Sequence, residues 1–443
     1  MGGKARFAVW LAPLRTARMG TGCFRRARRS DCARTRSKGK PPSALRGSPG
    51  REEVPMPRYL GLDVHQRYVH ACEFRPELPE GQQERHFRFP NTPEAWTAFA
   101  AELDREAVVA LEVTGNAFEV HDILLPHAGK VLVANPVELK RLGSGRHTDR
   151  VDAARLAKMA ALGIVPTVWV PPQLMRQVRR LLKTRERLDS QRRALLNQAR
   201  AALGRHGIPV PRRVDPAVLL ERVGRMPLPW GERVAVQATL RAAWALEAQV
   251  EALTVEIARQ VADVPEVRLL LTITGVGLLT AATIWAKLGD PWRFRGPKQV
   301  ARYAGLDPSV EQSGERDRRG RISRHGDRLL RQALVEAAWS VARHDEGELG
   351  RFYRRLAAKK GAKKALVALA RKLLIVAWRM LRTGESYRAQ KPATAQRKLV
   401  GLQRLVRRQP ADWEVIRREV LPGWAQAVEG TTRRSGEELE RAS

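Results

Sequence analysis

Four carboxylates stand where an acidic side chain is out of keeping with its neighbours. Asp63 sits in GLDVH at the end of an apolar run, and Glu112 interrupts VVALEVTG, which otherwise reads as a buried strand. Burying an ionised carboxylate in such runs is costly unless a cation compensates it. In HTDRVDAARLAKMA, Asp149 and Asp152 stand three apart at the start of a helical run, so their side chains share a face. Alone, that pair reads equally well as an N-cap and a helix-dipole partner. Together with Asp63 and Glu112 it reads as part of a metal site. Converging carboxylates suit the hard cations Mg2+ and Mn2+. Two such ions about 4 Å apart can activate the attacking oxygen and stabilise the leaving one in phosphodiester cleavage. His65, His70, His121 and His147 make no metal-ligand spacing with one another and read as surface or supporting residues; His147, close to Asp149, is the one to watch.

A second constellation lies in SVEQSGERDRRGRISRHG, where Arg316, Arg318, Arg319, Arg321 and Arg324 crowd around Ser313. The stretch is expected to form a Gly- and Arg-rich loop that enters an amphipathic helix at about Asp327. Guanidinium groups stabilise a phosphate under attack, and a serine among them can act as a nucleophile once a base or metal activates it. From this stretch alone, phosphate binding without catalysis is the favoured reading. Upstream, Gly275, Val276 and Gly277 join two apolar helical segments in LLLTITGVGLLTAATIWAKLGD. That is the helix-hairpin-helix pattern, in which amides at a helix N-terminus receive a DNA phosphate without reading sequence.

These residues need elements to hold them. RYLGLDVHQRYVHACEF and ERHFRFPN read as a β-meander. A helix capped by Thr92 follows, with Pro93 at its first position, then the strand AVVALEVTG, the helix AFEVHDILLPHAG, the strand KVLVANP and a helical run from near Thr148. The order β-β-β-α-β-α-β-α predicts a mixed sheet covered by helices, the arrangement of the ribonuclease H-like (RuvC-like) nuclease fold. Residues 171–262 predict two long amphipathic helices, one Arg-rich, whose apolar stripes call for antiparallel or intermolecular coiled-coil pairing, with 209–230 looped between them. Residues 263–385 predict a mostly helical domain carrying the hairpin and Ser313. The fold class is therefore α/β plus α, with a nuclease-fold domain over 56–170 and a basic tail over 386–443. The first 55 residues lack sustained apolar periodicity and are expected to be disordered; organised sequence begins at Met56, and the leader reads as sequence upstream of the true start rather than as a nucleic-acid-binding arm.

A chain of 443 residues is long enough for two or three domains, and a net charge of +35 attracts polyanions, nucleic acid first among them. Cys23, Cys32 and Cys72 form neither a CxxC pair nor a zinc spacing, so neither a disulfide framework nor a zinc module is indicated, and a reducing cytoplasm fits. No apolar run approaches the roughly 20 residues needed to span a bilayer.

Taken together, GLDVH, LEVTG, TDRVDA, TGVGLLTAATIWAKLGD, YAGLDPSVEQSG and GRISRHGDRLLRQALVEAAW, in that order between Met56 and about Arg382, resemble the DEDD transposase family typified by insertion sequence 110. The resemblance implies a RuvC-like domain in which Asp63, Glu112, Asp149 and Asp152 bind Mg2+, and a C-terminal domain in which Ser313 attacks DNA to form a covalent phosphoserine. It further implies a noncoding RNA that bridges target and donor DNA by base pairing, and a homo-oligomer, dimer or tetramer, with composite active sites. Where the family usually shows Ser-Ser-Gly this chain has Gln312, Ser313 and Gly314, and where it usually shows Asn there is Asp327. The sequence thus points to site-specific strand exchange of an insertion element. The alternatives are a resolvase-like nuclease using metal-activated water, and a nucleic-acid-binding relic without chemistry.

Overall fold

Three strands come first among the described residues, as an antiparallel meander: β1 (Tyr59–Val64), β2 (Tyr68–Phe74) and β3 (Glu84–Pro90). Helix α1 (Pro93–Ala101) follows, with the Thr92 side chain accepting from the Ala95 amide at 3.4 Å. Then come β4 (Val108–Glu112), α2 (Ala117–Leu124) and β5 (Lys130–Ala134). β4 joins β1 in parallel and β5 joins β4 in parallel, giving a mixed five-stranded sheet of order β3-β2-β1-β4-β5. The element order is the one expected, with one addition. A short helix, α3 (Pro136–Leu142), opens where Asn135 Oδ1 accepts from the Val137 amide at 3.0 Å, ahead of α4 (Asp149–Ala161). The computed structural model describes residues 57–142, 148–211, 214–313 and 316–408, with the backbone alone over 309–313 and 316–321.

Strand alternation divides the sheet into two faces. Leu60, Leu62, Val64, Val69, Val109 and Leu111 pack beneath Trp96, Phe99 and Val120 of α1 and α2. The opposite face receives α4: Ala110 and Ala134 meet Leu156, Met159 and Ala160, while Cys72 meets Ala153, Ala154 and Ala157. Gly61 makes that approach close. A Cβ there would lie 2.0 Å from the Ala153 carbonyl oxygen and 2.5 Å from the Ala157 nitrogen, so only a residue without a side chain lets α4 lie on β1.

Beyond the sheet, α5 (Gln173–Arg205) and α7 (Trp230–Val261) form a long hairpin. Arg205 pairs with Glu232 at 3.2 Å, Arg192 with Glu247 at 3.6 Å, and Arg185 Nε donates to Thr254 Oγ1 at 2.7 Å, so the helices run antiparallel within one chain. The connection expected to be looped contains a helix, α6 (Pro216–Gly224). Asp215 caps it, accepting from the Ala217 amide at 2.8 Å, and Leu219 and Val223 bury themselves with Leu203, Val236 and Leu240. An Asp-Pro start followed by apolar residues at helical spacing outweighs the flanking prolines.

The remaining chain builds the largest core from α8 (Pro265–Leu271), α9 (Leu278–Leu288), α10 (Pro297–Tyr303), α11 (Arg328–His344), α12 (Glu348–Lys360) and α13 (Ala362–Thr383). Val178 and Leu182 of α5, and Ile257 and Val261 of α7, belong to this core, as does Leu402 of a further helix, α14 (Pro392–Arg407). The stretch around Ser313, expected to be a loop, is a two-stranded antiparallel hairpin of β6 (Pro308–Ser313) and β7 (Arg316–Ile322). Its register sets the acidic position Glu311 opposite the basic Arg318. Ser323 ties its base to Asp307, donating from Oγ at 2.5 Å and from the amide at 2.8 Å. Among the described residues no helix is long and apolar enough to cross a membrane.

Candidate active site

Asp63 and Glu112 stand one position beyond the paired residues Leu62 and Leu111 of two adjacent parallel strands. Both share the parity of Gly61 and Ala110, so both belong to the sheet face covered by α4. The first turn of α4 carries Asp149 and Asp152, and Thr148, not Asp149, caps it by accepting from the Val151 amide at 3.3 Å. Asp149 is thereby released from the capping role open to it in the sequence. Close packing of α4 on Gly61 brings its acidic first turn to the carboxyl ends of the strands, where open α/β sheets usually carry their sites.

At the centre, His65 Nε2 lies 3.1 Å from Asp63 Oδ2 and 3.3 Å from Asp149 Oδ1. Ligand atoms of these three residues lie within 4.8 Å of one another. Tyr68 donates its hydroxyl to Asp149 Oδ2 at 2.7 Å, and the Arg88 guanidinium approaches the same oxygen at 3.7 Å. Asp152 faces Arg155 at 3.1 Å. Glu112 has no hydrogen bond or ion pair among the described residues, and Lys140 and Arg155 offset its charge only from a distance.

The electrostatics divide the acids. Burial holds the Asp63 carboxyl above its ordinary range; His65 works against that shift, while Asp149 and Asp152 reinforce it. Burial also raises Glu112, helped by the charge on Asp63. Asp149 is shifted down, chiefly by the Tyr68 hydrogen bond. Two half-buried carboxylates that repel one another and lack full compensation are an oxygen donor set suited to a divalent cation, and the residues fit such an ion. Tyr68 and Arg88 were not singled out in the sequence, and His65, read there as a surface or supporting residue, stands among the clustered ligand atoms. The signal was strand parity: His65 follows Asp63 by two, and Tyr68 and Arg88 share the α4-facing parity of Cys72 and Glu84. A second group on this face, Cys72, Glu84 and His86, also clusters. There Lys158 already holds Glu84 at 2.6 Å, and burial pushes the Cys72 thiol up to about 12, so it reads as packing.

In the C-terminal core, Gly275 adopts φ +84° in the turn between α8 and α9, and a Cβ there would meet the Val341 nitrogen at 2.7 Å. Gly277 caps α9 with extended backbone, and a Cβ on it would meet nothing within 4 Å. Ser313 ends β6 opposite Arg316. The side chains of Ser313, Arg316, Arg318, Arg319 and Arg321 lie outside the described residues, as do His147, Gly314, Cys23, Cys32, the leader through Met56 and the tail past Arg408. Arg324 is exposed, with left-handed backbone at φ +57°. Asp327 caps α11, accepting from the Leu330 amide at 2.8 Å, and pairs with Lys287 at 2.8 Å; an Asn could supply the cap but not the ion pair.

A mixed sheet with acids gathered at its strand ends, joined to a basic helical body, is the organisation of a transposase with a DEDD-type domain. Residues 60–208 match the DEDD transposase family model of IS110, described as Transposase, and residues 267–354 match that of the Transposase IS116/IS110/IS902 family. The chain is 30% identical over 292 residues to a Probable family 20 transposase of Pseudomonas aeruginosa, spanning 63% of this chain and 86% of that one. It is 27% identical over 294 residues to the transposase for insertion sequence element IS1111A of Coxiella burnetii, spanning 63% and 79%. A shorter match, 32% over 121 residues, covers 27% of this chain and 38% of the pilin gene-inverting protein of Moraxella bovis. The chain belongs to the IS110 family of transposases and is a DNA transposase.

Proposed function

We propose that this transposase cuts and exchanges DNA strands at specific sites, with Asp63, Glu112, Asp149 and Asp152 holding Mg2+ or Mn2+ and Ser313 as the nucleophile. The observation that carries the reading is the meeting of Asp63, Glu112 and the first turn of α4 on one sheet face, with two of the carboxyls raised by burial and mutual repulsion. A divalent ion bound there would draw charge from the attacked phosphate and from the attacking and leaving oxygens. Tyr68 and His65 fix the Asp149 carboxylate, and His65 also fixes that of Asp63. The Ser313 oxygen forms a bond to phosphorus as one sugar oxygen leaves; the serine proton passes to a base and the leaving oxygen acquires one. The phosphodiester energy is kept in the phosphoserine, so a hydroxyl from another strand can reverse the step on a new partner. Residues 56–170 act as the metal domain, 171–262 as an arm and 263–385 as the serine domain, with the Gly275–Gly277 helix-hairpin-helix and Arg316, Arg318, Arg319, Arg321 and Arg324 on DNA. Family membership supports guidance by a bridging noncoding RNA and work as a homo-oligomer in a prokaryotic cytoplasm, at the nucleoid. The name of the Moraxella bovis relative, a gene-inverting protein, accords with site-specific exchange.

The test mixes the purified protein with Mg2+, plasmid carrying the element's ends and RNA transcribed from the flanking noncoding region, and probes for a denaturation-resistant protein–DNA adduct. An adduct that disappears with Ser313→Ala is expected. Cleavage without any adduct would favour a resolvase-like nuclease and leave Ser313 a phosphate-binding residue.

A further inference from the structure

Thr274 precedes the turn between α8 and α9, is only 5% exposed, and has a buried Oγ1 with no hydrogen-bond partner among the described residues. Buried hydroxyls are nearly always hydrogen-bonded, so one left over marks a place where something else supplies the acceptor. Thr274 lines a cavity of about 520 Å³ shared by Gly275 and Gly277 of the turn and by Arg343, Lys391 and Lys398. Helix α9 starts at this cavity, no side chain caps it, and nothing crowds the α-carbon of Gly277. The first amides of a helix have no acceptor within it and carry its positive end.

The cationic wall comes from elements distant in sequence. Arg343 ends α11, Lys391 caps α14, and Lys398 lies within α14. Lys398 Nζ donates to the carbonyls of Leu271 at 2.8 Å and Ile273 at 2.6 Å, fastening α14 to the turn. One acid stands at the rim, Glu346, paired with Lys391 at 3.2 Å. Three cations against one carboxylate, a donor hydroxyl in want of an acceptor and a free helix start describe a tetrahedral oxyanion site.

We infer that this cavity binds a backbone phosphate of duplex DNA and that the C-terminal helix α14 completes it, with Thr274 and the first amides of α9 donating and Lys391, Lys398 and Arg343 supplying charge. The inference rests on the reading of the Gly275–Gly277 turn as a DNA-phosphate grip and deepens it by naming the donor hydroxyl and the second wall. A phosphate contact positions the duplex without reading bases.

Thr274→Val removes the hydroxyl while keeping the shape, and because that hydroxyl bonds nothing among the described residues, the DNA-free variant should melt at or above the wild-type temperature. Fluorescence anisotropy of the full chain on two duplexes of unrelated sequence should show both weakened alike, by about threefold to tenfold. Lys391→Met should reduce the magnitude of the slope of log affinity against log salt by about one. Unchanged duplex affinity in Thr274→Val, a loss confined to RNA or to one of the duplexes, or a lowered melting temperature without DNA would each overturn the assignment. The assay requires no cleavage, so it can fail while the serine mechanism stands, and hold while that mechanism fails.

Discussion

Asp63 and Glu112 are the proposed metal ligands whose surroundings hold them ionised only at a cost. Both carboxyls are raised in the folded metal-free protein, so it binds their protons more tightly than the unfolded chain does. Their contribution therefore turns unfavourable as pH rises through the ordinary carboxylate range to the raised folded values, and stays unfavourable above them. The double variant Asp63→Asn/Glu112→Gln should gain stability relative to the parent as pH rises above about 4 in chelator; a difference that does not change with pH would count against this. A divalent ion that binds only the folded state stabilises it by about 2.7 kcal/mol at a hundredfold excess over its dissociation constant. Mg2+ should thus raise the melting temperature of the parent and not that of the double variant, and equal shifts would place the ion elsewhere. Removing the metal with chelator should stop cleavage.

Elements decide whether those acids meet. Gly61→Ala pushes a methyl into the α4 backbone and should cost about 1–3 kcal/mol while abolishing the Mg2+-induced thermal shift. Gly277→Ala, with open space around it, should cost no more than about 1 kcal/mol, the loss of a favoured N-cap residue. Denaturant titration of both variants separates packing from mere loss of glycine. The same contrast explains what the sequence revealed. Asp63 and Glu112 were legible because a carboxylate breaks an apolar strand visibly. Tyr68 and Arg88 were not, because each is an ordinary polar residue in an alternating strand, nor was His65 in the turn after β1; each gains its place only through the fold that sets it beside Asp149. Helix α6 was hidden by the prolines around it, and the Ser313 hairpin by a run of arginines that carries no apolar alternation.

At the scale of the molecule, the segments that looked most separable in sequence are tied together. Helix α14, unassigned in the sequence, places Leu402, 4% exposed, in the same core as Ile257 and Leu374. Leu402→Ala should therefore cost about 2–5 kcal/mol in urea denaturation, where a free tail would register nothing. The foot of α5 is bound both ways: Arg176 and Arg180 pair with Asp122 and Glu119 of α2, while Val178 and Leu182 enter the C-terminal core. From Leu182 to the end of α5 at Arg205 the helix rises about 35 Å. A rod of that length anchored at one end is a lever. A tilt of about 10° at its foot carries the far end through roughly 6 Å, and a pull at the far end arrives at the foot as a torque shared by the carboxylate sheet and the C-terminal core. Whatever seizes the tip of this arm therefore has a handle on both halves of the enzyme at once.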